Sequence, residues 1–295
     1  MTDIGVERSV SPSLRTRSAG QAVMQKCLAV HDDAPQRGRL ARALGHSPLH
    51  SDAAGWYAET LAALDTGRRL DALDGVGAGF MVLHSLPIGD EDGLPGADIE
   101  HLVIGRSGVF CLSSTLTRSV TAEQLDAVAL EARLVSTHLS RTLQRVVPVT
   151  PLLVMAGGPE RKAAARSVSG TASGSGPASP SASTSAARPA PEVNLVDSRA
   201  LAGWFAKRGP VLTTAELATV ALAAEQPSTW NVSADALEET SAVNDFSDLQ
   251  SEVDAASDRE RVALTMATAT ALIVMLASAA VIVSATSGLL QLAGH

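Results

Sequence analysis

Three acidic side chains stand where they could share one chemistry: Glu59, Asp98 and Glu100. Glu59 lies in a stretch with helical periodicity, whereas Asp98 and Glu100 flank the start of the apolar run Ile99 to Ile104. A further strand-like run, Val109 to Leu112, returns behind the turn Gly105-Arg-Ser-Gly108. Adjacent antiparallel strands bring such side chains close together, and a helix packed over them can add a third carboxylate. Carboxylates gathered in this way suit a hard divalent cation such as Mg²⁺ or Mn²⁺. The cation activates water against a phosphodiester, while a lysine stabilises the charge that develops. Acids are common on exposed strands, so the pattern needs support from its surroundings.

Other motifs carry less. Asp74-Gly-Val-Gly-Ala-Gly79 follows a helix and enters a strand, the reverse of a phosphate loop, which must open a helix so that its N–H groups face the anion. It reads as a turn. Gly105-Arg-Ser-Gly108 lacks the spacing of a nucleophile elbow, so Ser107 reads as a hairpin residue. The seven His residues show no metal-ligand spacing, and His84 and His101 fall in strand patterns as sheet residues. Cys27 and Cys111 are too far apart for a CxxC pair, which fits a reducing compartment.

The elements that must position the three acids alternate helix and strand. A helix is expected from Asp52 through Leu64, with Tyr57, Leu61 and Leu64 on one face. Strands are expected at Phe80 to Leu86, Ile99 to Ile104 and Val109 to Leu112, separated by Gly- and Pro-rich turns. A long amphipathic helix, Thr121 to Arg145, carries Leu125, Val128, Ala132, Val135, Leu139 and Leu143 as one stripe. Pro148 to Met155 reads as a strand that Pro151 would confine to an edge. A short strand at Val193 to Val196, a helix capped by Asp197 or Ser198 and ending at Gly209, and a helix from Thr213 or Thr214 to Ala224 follow. The implied architecture is α/β, a small mixed sheet flanked by helices.

The remaining segments differ in kind. Residues 157–191 are rich in Ser, Gly, Pro and Ala and bury too little to offset the entropy of ordering. Residues 231–260 carry nine acids against Arg259, a net of −8 that equals the charge of the whole chain, and read as a disordered acidic linker. The globular part is therefore neutral, which does not support binding to nucleic acid through its phosphates. Only the first 50 residues lean basic, as a partly helical arm that anionic lipid or nucleic acid could attract. From Val262 to Leu292 no ionisable residue occurs, enough for one membrane-spanning helix at 261–292. Arg259 and Arg261 before it place the N-terminal side in the cytoplasm, and Met1 to Gly20 has no apolar core for a signal peptide.

With these stretches in view the chain resembles the NERD family, the nuclease-related domain, in its actinobacterial form. The similarity lies in Ala54-Gly-Trp-Tyr-Ala-Glu59, Val82 to Gly89, Ala97-Asp-Ile-Glu-His-Leu-Val-Ile-Gly105, Ser107-Gly-Val-Phe110, Val149 to Val154, Ser198 to Trp204, Pro210 to Thr213 and Ser228-Thr-Trp230. It spans roughly 18–230 and makes 51–230 the NERD-like domain. The family is similar to PD-(D/E)xK endonucleases, so the resemblance implies a restriction-endonuclease-like fold. It also implies a metal site built from a helix glutamate, a strand aspartate and an acid-x-Lys pair.

By position the helix glutamate is Glu59 and the strand acid is Glu100, one methylene longer than aspartate. The acid and lysine positions fall on Ser113 and Thr115, which supply neither negative charge nor a cation. The short stretch from Thr115 to Thr121 also leaves no room for a hairpin usual in the family. The expectation is a catalytically inactive, membrane-anchored interaction or scaffold module, with Glu59 and Glu100 as residual catalytic and metal positions and no cofactor. The bilayer is its expected partner, and the sequence names no protein partner. The alternative is a Mg²⁺- or Mn²⁺-dependent nuclease using Glu59 and Glu100, which needs a lysine from elsewhere, such as Lys26 or Lys162.

Overall fold

The computed structural model describes residues 14–35, 38, 45–74, 79–88, 98–117, 119–157, 192–232 and 242–292, the last helix without the side chains of 274 and of 276 onward. The chain divides into two units. The first holds residues up to Asp33 together with Ser51–Phe246, and the second holds Ala34–His50 with Ser247–His295.

In the first unit the order is α1 (Gln21–Asp33), α2 (Ser51–Asp74), β1 (Phe80–Pro87), β2 (Asp98–Gly105), β3 (Gly108–Thr115), α3 (Ala122–Leu143), β4 (Val149–Met155), β5 (Asn194–Asp197), α4 (Leu201–Ala206) and α5 (Thr214–Ala224). The five strands lie in sequence order across one mixed sheet. β1, β2 and β3 are antiparallel neighbours, while β3, β4 and β5 run parallel. Parallel neighbours need a crossover, and α3 supplies it between β3 and β4.

Helices cover both faces of this sheet. On one face Leu83, Leu102, Ile104, Val109 and Cys111 meet Ala132, Val135 and Leu139 of α3 and Val220 of α5. On the other, Val82, Val103, Phe110, Leu112 and Val154 meet Leu70 of α2 and Leu201 and Phe205 of α4. Burial on both sides explains why β2 to β4 read as near-continuous apolar runs rather than strict alternations. Local signals set the helix ends. Thr121 and Gln124 form a capping box at the start of α3, and Gln144 closes it in the left-handed region at φ 52. Thr213 and Glu216 do the same at the start of α5.

Four expectations change. The helix carrying Glu59 runs ten residues past Leu64, to Asp74. It tolerates Gly67 because a Cβ there would stand 2.2 Å from that of Ala19. β4 is an interior strand despite Pro151; the ladder to β5 begins only at Leu152, so the proline sits beyond the end of that ladder. α1 belongs to the sheet-bearing unit, burying Ala22, Met24 and Cys27, so residues 1–50 are not one separate arm. The acidic stretch is helical from Ala242, not an extended linker, since a single helix α6 spans Ala242–Leu292.

In the second unit, Gly45 lies against α6 so closely that a Cβ would meet the Glu260 backbone nitrogen at 2.4 Å. Among the described residues no helix is long and apolar enough to cross a membrane. Much of the expected span, Val274 and everything from Leu276 on, lies outside the described side chains, as do the insert at 158–191, Lys162 and the Gly-rich turn at 75–78.

Candidate functional site

The acids of β2 meet the polar end of β3 where both strands leave the apolar core. Glu100 Oε2 accepts the Ser114 backbone N–H at 2.8 Å, while Oε1, 3.1 Å from His101 Nε2, makes no hydrogen bond among the described residues. Ser114 in turn donates its hydroxyl to Thr66 Oγ1 on α2, at 2.8 Å. One residue earlier, Ser113 donates to Glu131 Oε2 on α3 at 2.5 Å. Thr115 is buried and pairs with the Thr117 hydroxyl at 3.0 Å, while its carbonyl accepts from Ala156 N, so it finishes the strand.

Glu131 thus brings a carboxylate to Ser113. Burial pushes its carboxyl up to about 7; the Ser113 hydrogen bond holds it down, Glu100 raises it, and Lys26 lowers it. Burial likewise raises Glu59, with Glu100 adding to the shift and Lys26 opposing it. Asp98 is raised by burial against the pull of Lys26 and Arg17. Lys26 is the common neighbour. Exposed on α1, with its ammonium 5.6 Å from the centre of the Trp56 ring, it lines an open cavity of about 230 Å³ together with Asp98, Glu131, Ile88, Ile99 and Leu134.

Glu100 acts on both Glu59 and Glu131, and Lys26 acts on Glu59, Asp98 and Glu131, so the structure adds Glu131 and Lys26 to the acids that the sequence singles out. Glu131 carried a signal: it follows Val128 by three positions on the buried stripe of α3, where an acid is out of place. Lys26 carried none beyond its charge. His84 and His101 are sheet residues as read, but His84 Nδ1 and His101 Nδ1 are only 2.7 Å apart, and Asp71 joins them from α2.

The carboxylates can be tested against a divalent ion. Their oxygens are the right hard donors. Yet Glu100 Oε2 already holds the Ser114 N–H, one Glu131 oxygen holds the Ser113 hydroxyl, and the Lys26 ammonium already supplies positive charge. As arranged, the group does not fit a resident Mg²⁺ or Mn²⁺ without rearrangement, and no step is derived through one. No family model, curated protein or solved structure matches the chain.

Proposed function

We propose that this chain is a nuclease-related, NERD-like domain of restriction-endonuclease-like type whose carboxylate centre is self-neutralised, so that it works as an interaction or scaffold module rather than as a nuclease. The observation that carries the reading is Lys26: its charge acts on Glu59, Asp98 and Glu131 together, in the role a metal cation would otherwise fill. Transition-state electrostatics dominate phosphodiester chemistry of this kind, and a centre already compensated has little to offer a developing charge. Detergent-purified full chain, incubated with single- and double-stranded DNA and Mg²⁺ or Mn²⁺, should leave both substrates intact. Cleavage that Glu59→Ala and Glu100→Ala abolish would overturn this.

The domain is held at a membrane by α6 and faces the cytoplasm. Support comes from the absence of ionisable residues from Val262 to Leu292 and from Val262, Leu264, Met266, Leu272, Ile273 and Met275, each more than half exposed on α6. A helix that is apolar and exposed on all sides calls for an apolar environment. Protease added to intact cells should spare the domain; removal of the domain would contradict the orientation.

One observation favours the second reading, a Mg²⁺- or Mn²⁺-dependent nuclease. Lys26 and Glu131 bring from two helices the charges that Thr115 and Ser113 lack. That reading requires the cleavage assay to be positive and Lys26→Met to abolish it.

A further inference from the structure

Three connections meet at one end of the sheet: the β2–β3 turn at 105–108, the segment 144–148 between α3 and β4, and the segment 207–213 between α4 and α5. Parallel pairing of Val109 with Val149 sets the start of β4 beside the turn. The Arg106 carbonyl accepts the Val211 N–H at 2.7 Å and the Leu212 N–H at 2.9 Å, which ties the α4–α5 segment to the same turn. Arg145 Nη1 lies 3.0 Å from Glu216 Oε1 and joins the end of α3 to the start of α5. The three segments thus make one tip. Its bonds at Arg106 use the backbone, and the Arg106 side chain is exposed.

Two properties set this tip apart. Val146 and Val211, 85% and 71% exposed, are the two most exposed large apolar side chains among the described residues, ahead of those on α6. A single exposed valine needs no explanation, but two at one tip leave apolar surface in water without gain to the fold. The second property is charge. The three segments carry Arg106, Arg145, Lys207 and Arg208 and no acid. Glu216, which approaches from α5, is taken up by Arg145 and by the Thr213 hydroxyl and N–H. In a chain of net charge −8 this is a local reversal of sign, while Glu100 and Glu131 lie with the polar ends of β2 and β3 at the other end of the sheet.

The two properties together select a partner. Apolar side chains set among cations suit an anionic bilayer, whose headgroup phosphates attract Lys and Arg while methyl groups enter the boundary with the acyl chains. Nucleic acid would take the cations but offers nothing to the valines. Its bases would need an aromatic platform, and the Trp204 ring already carries the Arg208 guanidinium over its face at 3.7 Å.

We propose that this tip is a second membrane contact, in which Val146 and Val211 enter the interface of an anionic bilayer and Arg106, Lys207 and Arg208 meet its headgroups. The contact rests on the reading that α6 holds the chain at a bilayer. Tethering keeps lipid at a high local concentration, so a few charges and two valines suffice where they would not hold a free protein. The bilayer then fixes how the sheet-bearing unit faces the membrane.

The test uses full chain reconstituted into vesicles of phosphatidylcholine, or of an equimolar mixture with phosphatidylglycerol. A polarity-sensitive fluorophore is attached at Val211→Cys, and separately at Val146→Cys; both positions are exposed, whereas Cys27 and Cys111 are buried. Emission from either label should move to shorter wavelength in the anionic mixture. High salt should weaken the shift. Arg106→Gln combined with Lys207→Gln should abolish it, with Arg208 left in place because it stacks on Trp204. Equal emission in the two lipids, or a shift that survives the double substitution, would overturn the contact. So would a shift produced by duplex DNA on phosphatidylcholine vesicles and absent from the anionic mixture, which would make the tip a nucleic-acid surface. Flotation with phosphatidylcholine vesicles reports α6 by itself. Loss of flotation would overturn the proposal through the anchor, and loss of the shift with flotation intact would overturn it through the tip.

Discussion

At its turn the β2–β3 hairpin is closed by rings, whereas at its open end the same strands carry Asp98, Glu100, Ser113 and Ser114. Around the turn, Phe110 meets Phe205 at 5.1 Å and Trp204 at 5.6 Å, Phe80 meets Phe205 at 5.3 Å, and the Arg208 guanidinium lies 3.7 Å over Trp204. This end is stabilised by apolar area and ring geometry, with little dependence on pH. The open end buries groups that are tolerable only when bonded or paired: Glu100 with Ser114 N–H, Glu131 with Ser113, and the acids together with Lys26. One sheet thus has an end whose failures appear as lost stability and an end whose failures appear as displaced protons.

Substitutions can break that contrast, beginning with the largest effect. Phe110→Ala removes a ring that is 1% exposed and should cost about 3–5 kcal/mol in chemical denaturation, equally at pH 5 and pH 8. Glu131→Gln should act in the opposite manner. With its folded carboxyl at about 7 against an ordinary 4.5, Glu131 keeps its proton where the unfolded chain has lost it. Its stabilising contribution is full below pH 4.5 and lost as pH rises through 7, a change of up to about 3 kcal/mol. Glutamine should flatten that fall and leave the variant more stable than wild type at pH 8. Gly105→Ala sets a Cβ 2.2 Å from the Phe80 ring and should cost about 1–3 kcal/mol at either pH. Ser113→Ala is the smallest, about 1 kcal/mol, and should move the Glu131 transition to higher pH by removing the hydrogen bond that lowers it.

How much of this was legible in the sequence follows the same division. The turn end is local: alternation, the Gly105 to Gly108 signal and the caps at Thr121 and Thr213 lie within a few residues of what they determine, and strands and helices formed where those patterns stood. α2 runs past Leu64 because Gly67, a helix-breaking signal in the sequence, is made acceptable inside the helix by its packing against Ala19. The open end is assembled from far apart. Lys26 arrives from α1 and Glu131 from α3, and the pairing of His84 with His101 depends on a strand register that the intervening turn residues do not specify. Residue types named the acids Glu59, Asp98 and Glu100 and offered Lys26 as one of two lysines; three-dimensional placement put Lys26 at the cavity and added the fourth acid.

The central claim is that Lys26 and the protonatable carboxylates neutralise this centre without a metal ion. Titrating Mn²⁺ into detergent-solubilised full chain at neutral pH and following the free ion by electron paramagnetic resonance tests it most directly. The account predicts that Glu100→Gln binds no less Mn²⁺ than wild type through the millimolar range, leaving only weak, non-saturating uptake in both. Saturable Mn²⁺ binding by wild type that Glu100→Gln eliminates would contradict it.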